Sequence, residues 1–78
     1  MNTNKAFIEW KKLPRSIQLD TEEWELTVWP FTEFDGKKTY HYTVRDKRLG
    51  RNNGEYIDFG IKETEDEACE VAMRAAKL

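Results

Sequence analysis

The chain has 78 residues, 38% of them hydrophobic and 36% charged, with ten aromatics and a formal net charge of −2. That size predicts a single domain, 1–78, which buries only about 60–65% of its unfolded surface and has little room for a deep catalytic cleft. The aromatic content excludes a disordered chain, the lone cysteine excludes an internal disulfide or a cysteine-built zinc site, and the charge balance speaks against a generic polyanion binder.

In chain order, Asn4 or Thr3 caps a predicted short helix at about residues 4–12, with Phe7, Ile8 and Lys11 close together and Pro14 ending it. The opening MNTNKAFIEWKK lacks the apolar run of ~7–15 residues that marks a secretory signal. No stretch approaches the ~20 apolar residues needed to cross a membrane. The expectation is a cytoplasmic protein.

Three strand-like runs follow. WELTVWPF (24–31) alternates Trp24, Leu26 and Val28 against Glu25 and Thr27. KTYHYTVR (38–45) alternates Tyr40, Tyr42 and Val44 against Thr39, His41 and Thr43. EYIDFGI (55–61) alternates Ile57, Phe59 and Ile61 against Asp58 and Gly60. Asp35-Gly36 and Asn53-Gly54 are turn dipeptides between the runs. A two-residue turn at Asp35-Gly36 pairs Trp29 with Tyr42 and Phe31 with Tyr40, which sets Leu26 and Val28 on the face opposite Val44. Either an odd-length loop or a bulge at Pro30 is needed to restore the register.

Thr64-Glu65-Asp66-Glu67 is a capping box opening a helix at 65–77, with three acids in its first turn to suit the helix dipole. Ala68, Val71, Ala72, Ala75 and Ala76 share one face, small enough for close approach to a sheet. The predicted fold is α+β: a three-stranded antiparallel meander, a C-terminal helix packed on one face, and a short N-terminal helix or arm.

That α-β-β-β-α order resembles the double-stranded RNA-binding domain over most of the chain. The resemblance implies lysines at the start of the last helix for RNA phosphates, and here those positions are Glu65, Asp66 and Glu67, which repel phosphate. Residues 37–77, with KKTYHYTVRDKRLGR, are similar in order to the β-β-β-α DNA-binding domains of phage-type integrases, which lay a sheet on DNA. Size, acidity and aromatic density look like small phage-encoded accessory proteins, including inhibitors of bacterial defence systems of the anti-CRISPR kind. That likeness implies action by protein–protein contact.

Charge is unevenly spread. Residues 16–36 hold six acids and no base, and residues 37–51 hold six bases and one acid. Lys37, Lys38, Arg45, Lys47, Arg48 and Arg51, with Tyr40 or Tyr42 as stacking platforms, are a candidate nucleic-acid surface. Charged loop tips that keep a sheet soluble explain the same residues. A second candidate is aromatic, because one sheet face and one helix cannot bury Trp10, Trp24, Trp29, Phe31, Phe34, Tyr40, Tyr42, Tyr56 and Phe59 together. Trp and Tyr dominate interface hot spots, so an exposed aromatic set marks a partner site. The competing expectation is that Phe7, Ile8 and Trp10 fold over the second face.

His41, the only histidine, has no partner in sequence for general-base or metal chemistry, and Cys69 reads as a packing residue. No catalytic motif, metal site or cofactor loop is apparent. The leading expectation is a non-enzymatic protein-binding module with Trp29, Phe31 and Phe34 as anchors and Glu22 and Glu23 as steering charge. The alternative is a DNA- or RNA-binding module using 37–51. Homodimerisation through a sheet edge or the spare aromatic face is compatible with either.

Overall fold

A computed structural model describes residues 10–50 and 54–78. Five strands form one antiparallel sheet in sequential order: β1 (Lys11–Lys12), β2 (Ile17–Asp20), β3 (Trp24–Thr32), β4 (Lys38–Asp46) and β5 (Glu55–Lys62). One helix, α1 (Glu65–Ala75), follows and packs across β3, β4 and β5.

The expected three-stranded sheet with an N-terminal helix is therefore corrected. Lys11 and Lys12 are strand, paired with Gln18 and Ile17. Around Pro14 the chain reverses, with the Leu13 amide donating to the Ser16 carbonyl at 2.8 Å. Ile17-Gln18-Leu19-Asp20 then alternates like any half-buried strand: Leu19 is buried against Leu26 and Asp20 is exposed. Residues 4–9 of the expected helix, and Phe7 and Ile8 with them, lie outside the described residues. Trp10 packs against the helix-side core, so its expected place over the second sheet face is also corrected.

The β3–β4 register is set by a loop of odd length. Five residues, Glu33–Lys37, separate the strands, and Gly36 supplies the positive φ of 91° that closes it. Val28 then faces Tyr42 and Leu26 faces Val44, with the pairing unbroken through Pro30. The irregularity falls instead in β5, where Tyr56 pairs with Arg45 and Asp58 with Val44, leaving Ile57 as the extra residue of a bulge.

These pairings fix the core. Leu19, Trp24, Leu26, Val28, Tyr42 and Val44 point to one side, where Ala68, Ala72 and Ala76 of α1 and its C-cap meet them. The alanines let the helix lie close to the sheet. The helix begins as its capping box requires, with the Glu67 amide donating to Thr64 Oγ1 at 3.1 Å. The core is thin: among the large side chains of the described residues, only Leu26, Val28 and Val44 are fully buried.

A candidate protein-docking face on the open side of the sheet

Alternation places a second set of side chains on the sheet face away from α1. From β3 come Trp29 and Phe31, from β4 His41 and Thr43, and from β5 Phe59 and Ile61. The His41 ring stacks on Trp29, with centroids 5.5 Å apart and planes at 29°, and Phe31 meets it edge-on at 5.1 Å. His41 Nε2 is shielded from solvent and has no hydrogen-bond partner among the described residues. Phe59 is 73% exposed, Ile61 53% and Phe31 47%, and Tyr56, opposite Arg45 on the same face, is 62% exposed. Trp29, His41, Thr43, Phe59 and Ile61 line a shallow depression of about 510 Å³.

Why β5 turns its apolar residues outward is legible at two contacts. Gly60 faces Tyr42, whose ring fills the space a side chain would take. Asp58 faces the same side, with its carboxylate beside the Tyr42 phenol. Burial, with that carboxylate beside it, holds the Tyr42 phenol above its ordinary pKa. Ile57, Phe59 and Ile61 are left on or near the uncovered side.

Most of the charges on the polar half of this face are paired with one another. Arg45 donates to Glu25 at 2.8 Å, and Gln18 donates to the same carboxylate at 3.3 Å. Lys47 pairs with Asp20 and also donates to the Thr21 carbonyl at 2.8 Å.

The structure divides both sets of residues singled out in the sequence. Trp29 and Phe31 lie together on the open face, and Phe34 is fully exposed at the adjoining β3–β4 loop. Glu22 and Glu23 sit in the β2–β3 turn, six to nine residue steps from Trp29 and Phe31 along β3, or roughly 20–30 Å. They do not rim the aromatic anchors. Phe59, Ile61 and Tyr56 complete the apolar face; Tyr56 and Phe59 belong to the candidate aromatic set but none of the three was among the expected anchors. The signal for them was the Ile57–Phe59–Ile61 alternation read together with a glycine facing a tyrosine.

The six basic residues do not make one surface. Lys37 and Lys38 are at the β3–β4 loop, while Arg45, Lys47 and Arg48 are at the far end of β4; Arg51 lies outside the described residues. Lys37 pairs with Glu63 at 3.2 Å. Arg48 grips Asp46 through Nε at 3.0 Å, reaches Glu23 at 3.5 Å, and lies 5.1 Å from the Trp24 ring. Arg45 and Lys47 are paired as above. Of the five described, Lys38 alone makes no ion pair. The acidic segment 16–36 and the basic segment 37–51 thus meet across the sheet.

Among the described residues no group of three or more His, Cys, Asp or Glu is placed to hold a metal ion, and no helix is long and apolar enough to cross a membrane. Cys69 is half-buried on α1. Burial, helped by Glu65 and Asp66, pushes its thiol up to about 11, far from a nucleophile's range.

Fold and face together define, among the described residues, a two-layer α+β protein with one sheet face left uncovered. Comparison with family models, with curated proteins and with solved structures finds no match to this chain.

Proposed function

We propose that this protein is a non-enzymatic binding module and that the open sheet face docks another protein. The observation that carries the reading is the apolar cluster of Trp29, Phe31, Phe59 and Ile61 around His41, exposed beside a polar half in which Arg45 and Lys47 are already paired. Taking ~200 Å² for each full-sized side chain, Phe31, Tyr56, Phe59 and Ile61 leave roughly 450 Å² of apolar surface to water. That lies at the upper end for a free-standing small protein and is the usual mark of a partner site. A phage-type accessory or inhibitor protein would act in this way, by occupying a partner's surface. The nucleic-acid alternative is not favoured by the ion pairs, because at Lys37, Arg45, Lys47 and Arg48 a phosphate would have to displace Glu63, Glu25, Asp20 or Asp46 before it met the cation.

The test is a photo-crosslinking side chain at position 59, compared with one at position 67 on the solvent side of α1, in host cells producing the full chain. Discrete protein adducts are expected from position 59 and only background from 67. Equal labelling from the two positions overturns the reading.

A further inference from the structure

The open face is suited to one partner in particular, and the following rests on the reading of that face as a protein-docking surface. We propose that its occupant is a second copy of this chain, packed face to face as the third and fourth layers of a symmetric dimer. Three observations carry this.

The first is area. Strands ~4.8 Å apart and rising ~3.3 Å per residue give the three strands that overlap in such a pair, β3, β4 and β5, a face of roughly 400 Å². Two such faces bury roughly 800 Å² together, the size of a weak, concentration-dependent association. The expected dimer therefore forms in the upper micromolar range of chain concentration.

The second is self-complementarity. A two-fold axis lying in the interface and running along β4 over His41 carries β5 of one copy onto β3 of the other. Phe59 and Ile61 then meet the partner's Trp29 and Phe31, and apolar surface is covered by apolar surface in both copies. The same rotation sets polar half against polar half. Arg45–Glu25 and Lys47–Asp20 are each neutral pairs, so the second copy introduces no uncompensated charge. Sheets packed in this way sit about 10 Å apart, the thickness of one interdigitated layer of side chains.

The third is the thin monomer core. Among the described residues, three of the nine in its apolar core cluster are alanines and the sheet has a helix on only one side. A second sheet turns the exposed aromatic layer into an interior, and the dimer stabilises the fold by mass action. The chain does not supply this cover from Trp10, which is committed to the helix side.

The purified full chain is examined by sedimentation between about 1 and 300 µM, spanning the expected micromolar dissociation constant. The expected result is a concentration-dependent shift from the 9.3 kDa monomer to twice that mass. Phe59→Asp is expected to raise the dissociation constant by about tenfold or more, as for a central interface residue, while keeping the circular dichroism of the wild type. Glu67→Lys, on the far side of α1, leaves association unchanged. Irradiating the purified chain with the crosslinker at position 59 is expected to give a covalent dimer. A chain that stays monomeric throughout, or a dimer indifferent to Phe59→Asp, overturns the proposal. If the purified chain gives no self-adduct but position 59 captures a different protein in cells, the second copy is wrong and the docking face stands. If neither adduct forms, both fall.

Discussion

Gly60 lies beneath the ring of Tyr42 so closely that a Cβ at position 60 would sit 2.9 Å from Tyr42 Cε2 and 2.9 Å from its hydroxyl. Tyr42 is only 6% exposed, so its ring cannot swing away without disturbing Val28 and Gly60's neighbours on the sheet. Gly60→Ala is expected to destabilise the monomer by about 1–3 kcal/mol, the usual cost of overpacking. For a domain of this size that lowers the melting temperature by roughly 4–8 °C per kcal/mol. Phe59→Ala, one residue away but largely exposed, should cost less than about 1 kcal/mol when measured on the monomer. Thermal unfolding at low micromolar concentration ranks the two, and the reverse order would mean that the Tyr42 side of β5 is not packed as described.

The acid limit of stability should be set in part by Asp46. This buried carboxylate accepts from Arg48 Nε at 3.0 Å, from a second guanidinium nitrogen at 3.1 Å and from the Arg48 amide at 2.9 Å. These hydrogen bonds hold its pKa below the ordinary carboxylate value. A folded-state pKa lower than the unfolded one contributes stability above the unfolded value, near 3.9, which is lost as pH falls through the folded one. Urea midpoints should therefore drop below about pH 4 more steeply for the wild type than for Asp46→Asn, while the variant is the less stable of the two at pH 7. Parallel curves for the two chains from pH 7 to pH 2 would show that the Arg48 grip contributes nothing.

How much of this was legible in the sequence depends on the range of the interaction. The helix was, because Thr64, Glu67 and the alanine face are signals within single turns. β3 and β4 were, because nine residues of alternation leave no doubt about period. β2 was not, because Ile17-Gln18-Leu19-Asp20 is too short to outweigh a helix-like reading of the residues before it. Trp29 and Phe31 were readable as outward aromatics from the alternation of Trp24, Leu26 and Val28. The Glu25–Arg45 and Lys47–Asp20 pairs were not, because they join residues 20 or more apart and exist only once an odd loop sets the register. Phe59 and Ile61 were not readable as anchors beside Trp29 for the same reason: a bulge at Ile57 and a glycine under Tyr42 decide which way β5 faces.

Cys69 should behave as a packing residue. With its thiol near 11, the thiolate fraction at pH 8 falls by on the order of a hundredfold relative to a free cysteine of pKa about 8.5. Reaction with an aromatic disulfide reagent should slow by at least that factor in the folded chain and recover in 6 M guanidinium chloride, a concentration sufficient to unfold ordinary domains. Fast labelling of the native protein at pH 8 would contradict the burial of Cys69 against the sheet.

His41 offers the sharpest separation of packing from chemistry. Its ring is held between Trp29 and Phe31, yet Nε2 is buried with no hydrogen-bond partner among the described residues. A shielded polar atom without a partner costs about 1–3 kcal/mol relative to its hydrated state. Phenylalanine keeps a planar aromatic ring in the same slot and removes that atom. His41→Phe should therefore leave the urea midpoint of the monomer unchanged or raise it, by about 1 kcal/mol in free energy. It should also keep docking at the open face intact, since Trp29, Phe59 and Ile61 retain the neighbour they pack on. His41→Ala removes the stacking platform and should weaken both stability and docking. If His41→Phe instead unfolds the chain or abolishes docking while His41→Ala is tolerated, the imidazole has a polar role that its aromatic packing does not account for.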